Sequence, residues 1–475
     1  MLSYFKANDP YRLLGVFLIL IIIRVAVLLS GVPLILPELK WLLLGERLGG
    51  EGMIMYRDVW DYTAPLSVLV YKWLDILFGK HQLVYQIVSM ILVGFQAAIF
   101  NNVMLKNKAY NSPSYVPAIV YVLMMNLCFD FLTLSPVLMS MTFILLALNN
   151  LFKRMDNHTQ DELFVYTGIY LGIAVLFYLP AIFYVLVTLI SLFLYTGSIF
   201  RRILLLIVGF LLVLIFSGLF FYWNDSFLVY NHHLFMSIWA VDPSYFLSGK
   251  GMVIMVLVPF SIFLYSIYRT FKIGKYVNFQ SKIQSVMLMF FVSGILAFFM
   301  VKERSTFQFI YLVPVMAFFV AHHLLVIKNW ILAEATFLLI FVAIILNLLF
   351  PLRGWLFVDQ LVGVERLLVQ PSPYAELTEG KDILVIGEGI EHYKGASLAT
   401  PYLDWQLSQI HLQHLNYFDN SAEVFLNFTS DMPEVIIDEQ EVVPELFRMM
   451  PTIAAQYREH ASHESVYVRI NKQID

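Results

Sequence analysis

One stretch of the sequence concentrates side chains able to do chemistry: Gly52-Met-Ile-Met-Tyr56-Arg57-Asp58-Val-Trp60-Asp61-Tyr-Thr-Ala-Pro65-Leu66. Leu69-Val-Tyr71 and Leu77-Phe78-Gly79 follow it, and Pro37-Glu38-Leu39 stands upstream. Carboxylates set among apolar residues cost desolvation unless they are solvated, paired or used. Arg47 and Arg57 offer pairing, and chemistry is the alternative for Glu38, Asp58 and Asp61. A second cluster, Lys302-Glu303-Arg304, is followed by Phe307, Tyr311 and Pro314. An arginine in such a place either anchors at an interface or forks onto a phosphate through two N–H groups.

Three further positions stand out. Arg24 lies inside an apolar run, where a charge costs on the order of 3 kcal/mol on insertion scales, so it must face other helices or a wet cavity, with a loop carboxylate as a candidate partner. Asn231-His232-His233 is a candidate for substrate or divalent-ion contact, although adjacent histidines do not share a helix face as an i, i+4 pair does. Asp130 is a lone acid in a nearly uncharged break. His322-His323 reads as structural.

The elements that must position these residues are membrane helices. The chain has 475 residues, 60% hydrophobic and 13% charged, against about 25% charged in an ordinary globular domain. That excludes a single soluble domain. A net charge of -4 offers no basic surface for nucleic acid, and one cysteine, Cys128, excludes a disulfide framework or a cysteine-rich metal site. Apolar blocks near 13–29, 82–104, 115–129, 134–152, 163–178, 180–198, 203–222, 251–269, 283–301, 306–327 and 330–350 predict about eleven spans.

Basic residues give an independent topology, because cytoplasmic loops are enriched in Lys and Arg. Lys6 and Arg12 precede the first span; Lys106, Lys108, Lys153, Arg154, Arg201, Arg202, Arg269, Lys272, Lys275, Lys282 and Lys328 follow the even-numbered ones. The N-terminus is therefore expected in the cytoplasm and the C-terminus outside. Two large external segments result. The first, 31–81, is acidic, with Glu38, Glu46, Glu51, Asp58, Asp61 and Asp75. The second begins after Arg353, where strand-like runs 383–387, 435–438 and 466–470 alternate with helical stretches 402–413 and 444–457. The expected fold is a polytopic α-helical membrane domain, 1–355, that includes the 31–81 loop, followed by a small external α/β domain, 375–475. Gly387-Glu388-Gly389 follows a strand but lacks the third glycine of a nucleotide fingerprint. Asn427-Phe-Thr429 matches a glycosylation acceptor by pattern only.

The 11–81 region resembles the first periplasmic loop of the GT-C membrane glycosyltransferases, the group of protein mannosyltransferases and lipid A aminoarabinose transferases. Many bacterial members share an acidic residue soon after the first helix, then G-x-x-x-Y-R-D-x-W-D-x-x-x-P-L, then L-F-G. Glu38 falls at the early acidic position, and Tyr56, Arg57, Asp58, Asp61, Pro65 and Leu66 match the second cluster. Beyond residue 81 the likeness extends only to helix count, topology and an external C-terminal domain. The resemblance implies transfer of a sugar from a polyprenyl-phosphate carrier to a lipid, glycan or protein acceptor hydroxyl at the periplasmic face of a bacterial inner membrane, without a nucleotide. It implies a carboxylate base, with Asp58, Glu38 and Asp61 as candidates. Tyr56, Arg57, Lys302, Arg304, Tyr311 and Arg24 are the candidate substrate-binding residues. Several of these families carry an Asp-Glu pair where this chain has Pro37-Glu38, which leaves the choice of base open. No metal ligand set is assigned, and a divalent cation is an open alternative. A transporter or flippase, or a non-catalytic assembly subunit, are the competing classes; the sequence lacks the inverted repeats usual in transporters.

Overall fold

The computed structural model describes residues 1–50, 52–156, 161–195, 199–236, 244–273, 276–354 and 358–470. Glu51 and Lys275, both used in the topology argument, lie outside the described residues. The chain divides into two compact units. One comprises Met1–Pro33, Leu83–Gly218 and Ile238–Leu367, the other Leu34–Gln82, Leu219–Ser237 and Leu368–Asp475. The sequence division put 31–81 with the membrane helices, whereas the contacts of 34–82 group it with the C-terminal residues.

Among the described residues, eight helices are long and apolar enough to cross a membrane: Arg12–Leu29, Gln82–Lys106, Pro136–Met155, Phe200–Trp223, Gly249–Lys272, Asn278–Phe299, Thr306–Val326 and Trp330–Arg353. The chain is a multi-pass membrane protein. Two shorter apolar helices, Glu162–Phe177 and Leu179–Tyr195, coincide with expected spans. The third expected span contains only the nine-residue helix Val116–Met124, about 14 Å long at 1.5 Å per residue and half a hydrocarbon core. The count of eleven crossings is therefore not confirmed.

Thr306–Val326 and Pro136–Met155 are mostly buried, while Arg12–Leu29 and Phe200–Trp223 expose most of their apolar side chains, as lipid-facing helices do. Close helix approach comes from small residues. Gly168 and Gly172 on the helix Glu162–Phe177 face the helix Ile199–Trp223, and a Cβ on Gly168 would strike the Leu206 carbonyl. Gly209 returns the contact: its own Cβ would strike the Val165 carbonyl.

The second unit holds a five-stranded sheet in the order Ser397–Leu398, Asp382–Ile386, Val435–Asp438, His463–Arg469, Tyr457–His460. The first three strands are parallel and the last two antiparallel. Asp382–Ile386 and Val435–Asp438 are buried along nearly their whole length, which explains their continuous apolar runs. Asp438 ends its strand by accepting N–H bonds from Gln440, Val442 and Val443, the last at 2.7 Å, and so starts the helix Val443–Met449. The space beside Gly387 and Gly389 is filled by Glu439, whose carboxylate meets His392 Nε2 at 3.0 Å and Gly389 N–H at 3.1 Å. These glycines admit a protein side chain.

The three expected strands are present. The helix expected at 402–413 is Trp405–Leu412, and that at 444–457 is two short helices followed by the strand Tyr457–His460. The helix Phe418–Ser430 was not expected. Nor is 31–81 an open loop: it forms the helices Leu36–Gly49 and Pro65–Phe78, each with proline in its first turn, where a missing N–H costs nothing. Trp41 and Tyr71 stack between them at 5.9 Å.

Candidate functional site

The chemistry of segment 52–66 is built on one backbone turn. Tyr56 sits in the left-handed region with φ of 71°, a conformation costing about 1–3 kcal/mol for a non-glycine residue. Several contacts hold it there. Its N–H bonds Val59 O at 3.0 Å, its hydroxyl donates to Thr63 O at 2.8 Å, and its ring packs on Phe221 and Tyr230 at 5.4 and 5.6 Å. Burial raises its hydroxyl well above the usual tyrosine pKa. Asp58 closes the same turn: its N–H bonds Ile54 O, and Ile54 N–H returns a 2.7 Å bond to Asp58 Oδ2.

Arg57 forks onto Asp58, with Nε 3.1 Å from Oδ1 and Nη2 2.8 Å from Oδ2, and also donates to Gly52 O. The hydrogen bond to Asp58 raises the Arg57 pKa. Both side chains keep contact with solvent, 45% for Arg57 and 22% for Asp58. Asp61 is different. It is fully buried, with Oδ1 accepting Thr63 N–H at 2.7 Å and Oδ2 ion-paired to Lys40 at 2.7 Å. Lys40 also meets Asp404 Oδ2 at 3.0 Å, and Asp404 Oδ1 caps the helix Trp405–Leu412 through Gln406 and Leu407 N–H groups.

Trp60 lies between Arg57–Asp58 and Asp61 in sequence, and it enters the core of the sheet domain with Leu384, Ile386, Ile436 and Phe428. Its N–H donates to Pro401 O and its carbonyl accepts Asp404 N–H, at 2.8 and 3.1 Å. Its ring meets Tyr402 and His411 edge-on at 5.1 and 4.7 Å. His233 packs near both motif aromatics, 6.0 Å from Tyr56 and 5.6 Å from Trp60. Burial lowers its pKa to about 4, so its imidazole is neutral at neutral pH. Among the described residues, no group of three or more His, Cys, Asp or Glu is placed to hold a metal ion.

Glu38 is buried in the first turn of the helix Leu36–Gly49, where a negative charge suits the helix dipole, and it accepts Gln82 Nε2 at 2.8 Å. Two positions separate it from Lys40, so the two side chains leave different faces of that helix. Arg47, expected as a partner for the loop acids, instead pairs with Asp431 at 2.5 Å.

The remaining expected site residues belong to the other unit. Arg24 is buried and makes five hydrogen bonds: Nε to Asn126 Oδ1, Nη1 to Ser89 Oγ and Leu132 O, Nη2 to Met125 O and Phe131 O. Neutral oxygens, and no loop carboxylate, take all five N–H groups. Tyr311 is buried, with its hydroxyl 2.8 Å from Ser140 Oγ. Arg304 sits in a short parallel bridge between Ser244–Tyr245 and Glu303–Arg304, donating to Tyr245 Oη, Phe299 O and Val301 O. These contacts take three of its five N–H groups. Lys302 is partly buried beside it in sequence. Asp130, also in this unit, accepts hydroxyl bonds from Ser305 and Thr306 at 3.1 and 2.5 Å, and burial raises its carboxyl to about 6. Sequence reading left it a lone acid because Ser305 and Thr306 are 175 residues or more away.

Comparison with solved structures places this architecture. ArnT from Cupriavidus metallidurans in the apo state superposes with a TM-score of 0.54 at 11% identity, covering 90% of this chain and 94% of that one. The same protein bound to undecaprenyl phosphate gives 0.51 at 12% identity, covering 94% and 89%. The chain has the GT-C fold. No family model and no curated protein sequence matches it. At such identity the shared GT-C architecture is carried by the helix arrangement and the domain that follows it, with few residues in common.

The ion cluster predicts a graded response. Lys40→Met leaves Asp61 and Asp404 as buried acids without their cation and should cost about 3–5 kcal/mol. Asp61→Asn leaves Lys40 paired with Asp404 and should cost clearly less. Thermal unfolding of the purified full chain in detergent measures the order, and equal losses would mean that Lys40 does not bridge the two acids.

Proposed function

We propose that this chain is an integral membrane glycosyltransferase, one that moves a sugar from a polyprenyl-phosphate donor to an acceptor hydroxyl at the periplasmic face of a bacterial inner membrane. The observation carrying the proposal is a GT-C fold along nine-tenths of the chain in which the segment 52–66 holds Asp58 rigidly yet within reach of solvent. In the reaction the acceptor oxygen bonds to the anomeric carbon as the bond from that carbon to the phosphate oxygen breaks. The hydroxyl proton passes to a carboxylate, and polyprenyl phosphate leaves. ArnT was solved with undecaprenyl phosphate bound, which supports a donor carried on such a lipid. The acceptor is a lipid, glycan or protein.

Access ranks the carboxylates. Asp61 has both oxygens engaged and none of its surface exposed. Glu38 is buried against Gln82, and only Asp58 of the three is open to an incoming hydroxyl. We assign Asp58 as the first candidate for the base, Glu38 as the second, and Asp61 as the support for the turn. Tyr56 and Arg57 shape the acceptor side. Arg304, with Lys302, is assigned to the leaving phosphate, since a guanidinium keeps its charge throughout and can fork onto two oxygens. Arg24 and Tyr311 fit a positioning role, because both are saturated by protein partners.

Asp58→Asn and Glu38→Gln keep side-chain shape and remove the proton acceptor. The variant at the true base should lose ~10²- to 10⁴-fold in turnover with unaltered thermal unfolding, read as loss of the modified species in mass analysis of cell-envelope glycans and glycoproteins. Near-normal transfer by Asp58→Asn, Glu38→Gln and Asp61→Asn alike would refute the mechanism. Replacing Arg304 with Ala should raise the donor requirement or lower turnover, and Arg304→Lys should restore only part; unchanged donor kinetics would reduce Arg304 to an anchor. For topology, Cys128 is buried, so a cysteine at exposed Ser430 gives a clean reporter. A membrane-impermeant maleimide should label Ser430→Cys in intact spheroplasts, and labelling only after lysis would put the sheet domain in the cytoplasm.

A further inference from the structure

The unit of membrane helices contains a cavity of about 650 Å³ that none of the residues assigned to transfer touches. It lies where the chain leaves the helix Gln82–Lys106 and where the helix Asn278–Phe299 begins. Its polar wall is made by Lys108, Asn111, Ser112, Ser114 and Gln280, and Leu105 and Phe279 contribute apolar surface.

Two of these groups are fixed by hydrogen bonds. Lys108 adopts a left-handed φ of 47°, its N–H bonds Leu105 O at 3.1 Å, and its carbonyl accepts Gln280 Nε2 at 3.3 Å. The backbone of Lys108 is thereby fixed at the cavity wall, and its side chain stays exposed. Gln280 uses its other amide atom to accept Val277 N–H at 3.3 Å, fixing the start of the helix. Ser114 is 2% exposed, and its hydroxyl has no hydrogen-bond partner in the protein. A buried hydroxyl is costly to leave unpaired, so this group calls for a ligand atom.

The charge around the cavity has one sign. Residues 104–116 and 276–285 contain Lys106, Lys108 and Lys282 and not one Asp or Glu. Asp9, the acid that neighbouring Tyr115 faces, is paired with Arg12 at 3.8 Å. The first turn of a 22-residue helix adds unsatisfied N–H groups and the positive end of its dipole. An ammonium, hydroxyls, amides and a helix start make a donor-rich site for a tetrahedral oxyanion. The apolar wall and the position at a membrane-helix end suit an oxyanion attached to a lipid body.

We propose that this cavity is a binding site for a phosphate group, presented by the headgroup of an anionic phospholipid or as free phosphate. The transfer reaction does not use it, so it stands whether or not the glycosyltransferase reading holds.

Native mass spectrometry of the detergent-solubilised full chain, titrated with phosphatidylglycerol, phosphatidylcholine or inorganic phosphate, tests the site. One phosphatidylglycerol should bind more tightly than phosphatidylcholine. Lys108→Gln should weaken it about tenfold, as expected for the loss of one charge-assisted bond. Ser112→Trp fills the cavity without changing charge and should weaken it as well. Lys106→Gln, at an exposed lysine that does not line the cavity, should leave binding intact. Retention of inorganic phosphate without lipid selectivity, lost in Lys108→Gln, assigns the site to free phosphate. The proposal fails if neither probe binds, if Lys108→Gln and Ser112→Trp bind as the wild type does, or if Lys106→Gln weakens binding as much as Lys108→Gln.

Discussion

A buried ammonium between two carboxylates organises the second unit. Lys40 reaches Asp61 at 2.7 Å and Asp404 at 3.0 Å, with hardly any of the three side chains exposed. Taking these charges out of water is expensive, and the cluster persists only because each carboxylate has further work. Asp61 fixes the turn at Thr63, and Asp404 caps a helix of the sheet domain. The ammonium therefore couples the start of the segment 34–82 to a residue more than 360 positions later. Trp60, between the two acids in the backbone bonding pattern, fills the apolar core at that seam. A neutral residue in place of Lys40 would leave the bond between Trp60 O and Asp404 N–H to hold the two acids near each other without their cation.

Arg24 solves the analogous problem in the membrane unit by another route. Its five donors match five neutral oxygens, four of them on residues 125–132. That segment cannot continue the helix Val116–Met124, because its carbonyls turn toward the guanidinium. Where hydropathy reads a span there is a short helix followed by a bend whose oxygens this arginine binds. Asp130 lies in the bend and ties it to Ser305 and Thr306, next to Arg304. The cost of a charge within an apolar run is offset by ordering a segment that would otherwise hold unsatisfied carbonyls.

The same two clusters explain what was legible beforehand. Hydropathy located the long spans because crossing an apolar core takes about twenty predominantly apolar residues in a row, whether they face lipid or other helices. Segment 52–66 was legible because its aromatics, acids and proline are adjacent in sequence. The helix Leu36–Gly49 was not, since it is buried on nearly all sides and shows no 3.6-residue alternation of polar and apolar positions. Lys40 passed unnoticed for a related reason: its partners come from opposite ends of the chain, and a lone lysine among leucines announces no pairing. The strand Tyr457–His460, which begins where the expected helix 444–457 ends, was not foreseen because its charged residues lie at a sheet edge, where alternation is weak.

The carboxylates that hold architecture and the one proposed as base differ on physical grounds. A group that holds architecture must be saturated and inaccessible; one that exchanges a proton with an incoming molecule must keep at least part of its surface open. Asp61 meets the first condition, with each oxygen committed and no exposure. Asp58 meets the second while remaining rigid, because Ile54 and Arg57 fix its position from within five residues. The segment that follows the strained turn at Tyr56 gives both outcomes from acids three positions apart: Asp61 lies in the Lys40 cluster and Asp58 stays at the surface. The left-handed tyrosine is held by its buried ring and its hydroxyl bond to Thr63, while Asp58, bonded by Ile54 and Arg57, keeps part of its surface in contact with solvent.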